Sequence, residues 1–241
     1  NTAIGYQAGY STTTSGSQVF VGAAAGYAIT TGPFNVAVGG SSLNATTTGG
    51  YNTAVGTSAL QSNTTASNNT AVGYQAGYAN TTGLYMVAVG YQAAFSNTSG
   101  EIAAVGWQAG LNNTTGTANS AFGRYRPLFS NTTGANNTAI GDQALYSNTT
   151  APNNTAVGYQ AAYLNTTGSP NVAMGALALY ANTTGGENVA IGSGIVGVIV
   201  GALGSNTTGT YNTAVGNQAL RANTTASNNT AVGYQAGYSN Q

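Results

Sequence analysis

The hydrophobic and polar positions of this chain follow one short pattern that is repeated from end to end. An alternating segment, Asn-Thr-Ala-Val-Gly or a close variant, recurs fourteen times, and ten of the thirteen intervals between its glycines equal 17. Alternating β-branched residues followed by Gly and Asn predict short strands and turns. A fixed period of this length is typical of solenoids, in which each coil buries its neighbour. The sequence therefore predicts an all-β, parallel β-solenoid (β-roll) of about 14 coils with a 17-residue repeat.

The repeats are predicted to form a single array over residues 1–241, with two irregularities. The irregular coil 119–136 holds one extra residue, and in register its Arg124 lies one coil from Asp142 and can pair with it. We call the glycine that ends each motif the marker glycine. The longest interval between marker glycines, from Gly192 to Gly216, contains seven extra residues and includes the apolar insertion 193–205. An exposed apolar insertion predicts a contact with another subunit, and the alternative is that it folds over its own coil.

Coil positions are numbered here from the Asn of the motif, so that Asn69 is the first position and Tyr85 the seventeenth. The fourth position is always apolar, as in Ile4 and Val72, and is predicted to point into the coil. The third position is Ala in every repeat except that of Phe20, which predicts either a crowded contact with another copy of the chain or packing against a loop of its own coil. The candidate subunit-contact residues are Ala37, Ala54, Ala71, Ile195, Val196, Val198, Ile199 and Val200.

The Asn-Thr-Thr run of each coil has two interpretations. Stacked coils about 4.8 Å apart bring equivalent threonines together, so that each hydroxyl can bond the next coil. The same run matches the acceptor motif for N-linked glycans, which predicts covalent glycans as further partners. The candidate glycosylation sites are Asn63, Asn80, Asn97, Asn113, Asn131, Asn148, Asn165, Asn182, Asn206 and Asn223.

The composition narrows the possible functions. The chain has three Lys and Arg residues together, three Asp and Glu residues together, and no His or Cys. General acid and base catalysis, nucleophilic triads and zinc sites need residues that are missing here. Nucleic acids and anionic membranes are bound by clustered Lys and Arg. We therefore expect no enzyme activity, no cofactor, no nucleic-acid partner and no membrane insertion, while the zero net charge favours self-association.

Three repeats resemble a known family. The segments Asn35-Val-Ala-Val-Gly39, Asn171-Val-Ala-Met-Gly175 and Asn188-Val-Ala-Ile-Gly192 are similar to the Asn-Ser-Val-Ala-Ile-Gly repeats of trimeric autotransporter adhesin heads. That resemblance implies a left-handed parallel β-roll of three chains on a bacterial surface, with the Val positions inside and trimer contacts along the Ala row. Similar Asn-Thr-Ala-Val-Gly repeats occur in fibre-like proteins of viruses and phages.

The sequence thus favours a structural role. We expect a subunit of an extracellular filament or surface fibre that assembles with itself through stacking of solenoids and lateral contacts. The first alternative is an adhesin-type binding module on a cell or virion surface. The second is an ice-binding protein that uses its threonine ladders.

Overall fold

The structure is a computed structural model that describes residues 1–14, 16–197 and 200–239. The described residues form strands and turns and contain no helix. The chain divides into two compact units, residues 1–118 and 119–241. The boundary coincides with the start of the irregular coil 119–136, and each unit is described by itself below.

The first unit contains seven strands, one per coil. They are β1 (Thr2–Ile4), β2 (Val19–Val21), β3 (Val36–Val38), β4 (Thr53–Val55), β5 (Thr70–Val72), β6 (Val87–Val89) and β7 (Ile102–Trp107). Each strand pairs in parallel with the next one along the chain, and equivalent residues face each other, as Ala54 and Ala71 do.

The second unit repeats this arrangement with seven further strands. They are β8 (Asn119–Tyr125), β9 (Thr138–Ile140), β10 (Thr155–Val157), β11 (Asn171–Met174), β12 (Asn188–Ile191), β13 (Thr213–Val215) and β14 (Thr230–Val232). Their pairing is again parallel and in register, including β12 with β13 across the long insertion. The predicted all-β parallel solenoid with its 17-residue repeat is confirmed.

The assignment of the fourth position to the inside of the coil is wrong, and of the two alternatives for the third position the structure agrees with packing inside the chain's own coil. The Ala side chains of the third position, Ala37, Ala54 and Ala71 among them, are 0% exposed within a single chain. The fourth-position side chains point outward instead, and Ile4 is 60% and Val72 36% exposed. A 17-residue coil leaves little space between its strand and its opposite turn, so the small side chain is the one that fits inside. Fully buried alanines cannot contact another subunit, so Ala37, Ala54 and Ala71 are not subunit contacts.

The interior is filled by Ala from the strands and, in seven of the coils, by Leu from the ninth position. Where a larger side chain enters from the strand, the ninth position is Gly. Phe20 lies within 2.5 Å of where a Cβ on Gly26 would stand, and Ile102 lies within 2.6 Å of the Cβ position of Gly110. A large residue on the strand is thus paired with a glycine on the opposite side of the coil, and this pairing keeps the core closely packed.

The marker glycine of each coil has an unusual backbone geometry. Except at Gly123, its φ lies between +120° and +152°. The carbonyl group of the next marker glycine lies directly against it, and a Cβ on Gly39 would be 2.6 Å from the carbonyl carbon and oxygen of Gly56. Only glycine combines this φ with this close approach, which explains why the position does not vary.

Candidate association surfaces

The ten candidate glycosylation asparagines form buried ladders inside the coils. All ten side chains are 0% exposed. In a typical coil, Asn148 Nδ2 donates hydrogen bonds to the Ala151 carbonyl oxygen at 3.0 Å and to Asn131 Oδ1 at 2.9 Å. The amide nitrogen that would carry a glycan is therefore enclosed and already engaged. The prediction that Asn63, Asn80, Asn97, Asn113, Asn131, Asn148, Asn165, Asn182, Asn206 and Asn223 are glycosylated is incompatible with the fold.

The polar side chains of these asparagines suggested incorrectly that they are exposed. The turn that follows each of these asparagines directs a carbonyl oxygen into the coil, and a buried acceptor needs a donor. The asparagine amide supplies it, so a polar residue is required inside. Four further Asn-Asn-Thr acceptor motifs begin at side chains that are exposed. These are Asn68, Asn136, Asn153 and Asn228.

The threonine pairs form the predicted ladder in one of their two positions. The hydroxyl of the first Thr donates to the backbone carbonyl of the equivalent Thr in the next coil, as from Thr64 to Thr81 at 3.1 Å and from Thr149 to Thr166 at 3.2 Å. The second Thr of the pair, such as Thr65 or Thr150, is exposed to solvent. In each unit, one hydroxyl row thus stabilises the stacked coils and the other is exposed to solvent.

A continuous surface of apolar and threonine side chains lies on the outside of the strands in each unit. We call it the outer sheet face, and it consists of the second and fourth strand positions. In the first unit the fourth-position residues are Ile4, Val21, Val38, Val55, Val72, Val89 and Val105, and in the second they are Phe122, Ile140, Val157, Met174, Ile191, Val215 and Val232. In both units the second position is mostly Thr or Val. Parallel register places these residues in straight rows of β-branched and apolar side chains.

The outer sheet face is substantially exposed in the single chain. In the second unit, 39% of Phe122, 43% of Ile140, 42% of Met174 and 38% of Ile191 is exposed to solvent. Seven strands spaced by about 4.8 Å make each row roughly 30 Å long. Ordered apolar rows of this extent are typical of surfaces that pack against another protein.

The apolar insertion leaves two of its candidate contact residues at the surface. Ile195 and Val196 are each 55% exposed, and Val200 is partly exposed. Val198 and Ile199 lie outside the described residues. The exposed pair is compatible with the predicted subunit contact, which stays a prediction.

Charged groups contribute one ion pair within the part of the chain that the structure describes. Arg124 Nη2 lies 3.0 Å from Asp142 Oδ2, and the two side chains are 89% and 22% exposed. The sequence register predicted this pair correctly. An exposed pair of this kind contributes only about 0 to 1 kcal/mol. Among the described residues there is also no group of three acidic, His or Cys side chains that could hold a metal ion.

Aromatic columns are the main surface feature that the sequence analysis missed. Tyr146 and Tyr163 stack with their ring centroids 5.0 Å apart, and Tyr74 and Tyr91 stack at 5.4 Å on a different side of the coil. Burial, together with the neighbouring Tyr146 and Tyr180 phenols, raises the pKa of Tyr163 above its usual value. The recurrence of Tyr at the tenth position was visible in the sequence and is the signal that could have identified the column.

No helix in the described residues is long and apolar enough to cross a membrane. No protein-family model, curated protein or solved structure matches the chain. The function must therefore be inferred from the fold and its surfaces.

Proposed function

We propose that the protein is a structural subunit that associates with copies of itself through the outer sheet face, as part of an extracellular filament or surface fibre. The observation that carries the proposal is the row of apolar fourth-position side chains on the outside of the strands in each unit, which a single chain leaves exposed beside a row of mostly Thr and Val. The placement outside the cell rests on the resemblance of the repeats to adhesin heads and fibre proteins. The proposal assigns no catalytic residue.

The energetics favour association along this face. Complete burial of a Val, Ile, Met or Phe side chain stabilises by about 1.5 to 3 kcal/mol, so covering side chains that are about two-fifths exposed contributes roughly 1 kcal/mol each. Straight rows of similar residues allow two flat sheets to pack face to face about 10 Å apart. Because the chain carries only three positive and three negative side chains, little electrostatic repulsion opposes the approach of a second copy.

The alternatives have less support. In most threonine pairs the first hydroxyl donates to the next coil, as in Thr64, which leaves one exposed threonine row in each unit for ordering water. Adhesion to a matrix or cell rests on the motif resemblance. Both alternatives stay predictions from the sequence.

The first prediction tests the outer sheet face with added charge. The triple variant Val72→Glu, Ile140→Glu and Met174→Glu places one carboxylate on this face in each of three coils. We expect the wild-type chain to form oligomers or filaments in sedimentation velocity and electron microscopy. We expect the variant to need about a hundredfold higher concentration or more to assemble, because burying unpaired charges costs several kcal/mol and each 1.4 kcal/mol is tenfold in affinity.

A matched control carries the same charges in the same three coils. The triple variant Thr82→Glu, Thr150→Glu and Thr184→Glu replaces exposed threonines of the turn and should assemble like the wild type. Far-UV circular dichroism should show that both variants are folded. A wild-type chain that stays monomeric at high concentration would exclude the proposal. Equal loss of assembly in both variants would assign the effect to net charge and not to the outer sheet face.

A further inference from the structure

A column of stacked aromatic rings in the first unit ends at Tyr74. Tyr74, Tyr91 and Trp107 occupy the sixth position of three successive coils. Their ring centroids are 5.4 and 6.1 Å apart in chain order, and successive planes differ by at most 17°. The preceding coil has Thr57 at this position, and the backbone amide of Gln75 donates to the Thr57 carbonyl oxygen at 3.0 Å, which fixes the register. One face of the Tyr74 ring therefore covers Tyr91, and the other is turned towards the level of Thr57.

A ladder of glutamine side chains ends at the same coil. Gln108 Nε2 donates to Gln92 Oε1 at 2.9 Å, and Gln92 Nε2 donates to Gln75 Oε1 at 2.9 Å. Ser58 occupies this seventh position in the preceding coil and has the same left-handed backbone conformation, with φ of 58° against 53° at Gln75. Its side chain leaves the backbone in the same direction but ends where a glutamine would continue. Within the described residues, Gln75 Nε2 has no acceptor, so it is a donor available to a ligand.

The ends of the two columns meet in one place. Tyr74 and Gln75 are consecutive residues, and so are Thr57 and Ser58 below them. The outward ring face, the amide donor and two hydroxyl groups therefore border a single site, which we call the ladder-end step. Tyr74 is 46% exposed, Thr57 is exposed and Ser58 is partly exposed. The coil before has Gly40 at the sixth position, which has no side chain that could close the step from below.

The dimensions of the ladder-end step suit one ring of a ligand. A ring stacked on Tyr74 lies about one coil interval, or about 4.8 Å, from it, close to the spacing of the column itself. That position is level with Thr57 and Ser58 and lies beyond their short side chains. Gln75 Nε2 reaches the same level, because each amide of the ladder donates towards the preceding coil. The polar groups thus converge on the rim of the stacked ring.

The chemistry of the step selects a neutral ligand that has an apolar face and several hydroxyl groups. Residues 1–100 contain no Asp, Glu, Lys or Arg, so no nearby charge favours an ion. The face of an aromatic ring is apolar and carries a negative potential, which suits the slightly positive C–H groups of a ligand. Amide and hydroxyl groups suit ligand hydroxyls as hydrogen-bond partners. A pyranose with equatorial hydroxyls has axial C–H groups on its ring faces and hydroxyls around its rim.

We propose that the ladder-end step binds a neutral pyranose residue of a glycan, with a C–H face of the sugar stacked on Tyr74. Gln75 Nε2 donates to a hydroxyl oxygen of the sugar, and the Thr57 and Ser58 hydroxyls hydrogen-bond to its rim. The step is formed by the sixth and seventh positions, beyond the marker glycine, whereas the outer sheet face consists of the second and fourth positions. Sugar binding is therefore a property separate from self-association.

The experiment measures binding of methyl β-D-glucopyranoside to the full chain by saturation-transfer NMR and titration. The comparison ligand is methyl β-D-gulopyranoside, an isomer that has one axial hydroxyl on each ring face and so cannot stack flat. We expect the glucoside to bind with a dissociation constant of about 10 mM or lower and at least about tenfold more tightly than the isomer. Its axial protons on one ring face should receive the strongest saturation. This comparison uses the wild-type protein and does not depend on any variant folding.

Variants then locate the site. Tyr74→Leu should lower the affinity for the glucoside about tenfold, and Gln75→Met about fivefold, whereas Tyr74→Phe keeps the ring and should retain the affinity within about twofold. Tyr85→Leu is the matched control, because it makes the same change at a tyrosine of the same coil that is 64% exposed and lies outside the step. It should leave the affinity unchanged.

Three results would each overturn the proposal. The first is no binding of the glucoside at about 50 mM, a free energy weaker than roughly −1.8 kcal/mol. The second is equal affinity for the two isomers, which would show that no ring face is stacked. The third is a loss of affinity in Tyr85→Leu as large as that in Tyr74→Leu, which would assign binding to exposed tyrosines in general.

Discussion

Replacement of Gly39 by alanine should unfold the coils around it. The new Cβ would stand 2.6 Å from the backbone carbonyl carbon and oxygen of Gly56 and 2.9 Å from the Thr57 nitrogen. These are main-chain atoms of the next coil, so the overlap is relieved only by separating two paired coils. The φ of +128° at Gly39 adds backbone strain for any residue with a Cβ. We expect a loss of about 5 kcal/mol in unfolding free energy, which is at the upper end for single substitutions.

The neighbouring residue provides the matched control for this substitution. Gly40 does not have a left-handed φ, and the nearest atom to a Cβ there is the Ala23 carbonyl oxygen at 3.9 Å. Gly40→Ala should therefore change stability by less than about 1 kcal/mol and can be slightly stabilising, since it restricts the unfolded chain.

Thermal melting and amide hydrogen exchange measure the difference. A loss of about 5 kcal/mol corresponds to a fall of roughly 10 to 20 °C in the melting temperature of a domain of this size. Because repeat proteins open locally, we expect the amides of β2, β3 and β4 to lose protection first. Equal melting temperatures for the two variants would show that the close approach of successive marker glycines is not a constraint on the fold.

The repeat pattern predicted the architecture correctly because its information is local and repeated. A 17-residue period, an alternating segment and an invariant glycine each point to the same short strand and corner in every coil. The register that follows from the period also placed Arg124 beside Asp142, and the threonine pairs in neighbouring coils. Features that depend only on the period were therefore accessible from the sequence.

The direction of each side chain was not accessible in the same way. A three-residue alternating strand defines two faces, but hydrophobicity alone does not decide which face is inside. The deciding quantity is the space within a coil, which admits Ala54 and excludes the larger Val55. The asparagines were misassigned for a related reason, since the demand for a donor at Asn148 arises from a carbonyl oxygen that the turn directs inward. Both are properties of the closed coil and not of the local sequence.

The proposed function depends on which of the two strand faces points outward. With Ala outside and Val inside, the chain would have presented a narrow row of small residues to a partner. The structure instead exposes rows of Val, Ile, Met and Phe, with side chains such as Met174 about two-fifths exposed. The lack of charge predicts self-association, and the structure suggests the outer sheet face as the surface for it. The sequence alone had suggested the Ala row.

Replacement of a buried asparagine should also be strongly destabilising. In Asn148→Ala the Ala151 carbonyl oxygen and Asn131 Oδ1 lose the donor at 3.0 and 2.9 Å, and Asn165 Nδ2 loses the acceptor at 3.1 Å. The Ala151 carbonyl oxygen keeps Asn137 Nδ2 as a donor, and Asn165 Nδ2 keeps the Gly168 carbonyl oxygen as an acceptor. Each of the three lost hydrogen bonds contributes about 0.5 to 1.5 kcal/mol, so we expect a loss of about 3 kcal/mol in unfolding free energy. Asn148→Asp keeps the shape but removes both donors and adds a buried charge, so it should destabilise at least as much at neutral pH.

Thr150→Ala is the control, because Thr150 lies two residues away in the same turn and its side chain is exposed. This variant should change stability by less than about 0.5 kcal/mol. Denaturant unfolding of the three variants, with hydrogen exchange to locate the opening, shows whether lost hydrogen bonds or lost volume causes the destabilisation. If Asn148→Ala were severe and Asn148→Asp mild, lost volume and not lost hydrogen bonds would govern the position. If both were mild, the asparagine ladder would contribute little to the fold, and a glycan at Asn148 would no longer be incompatible with it.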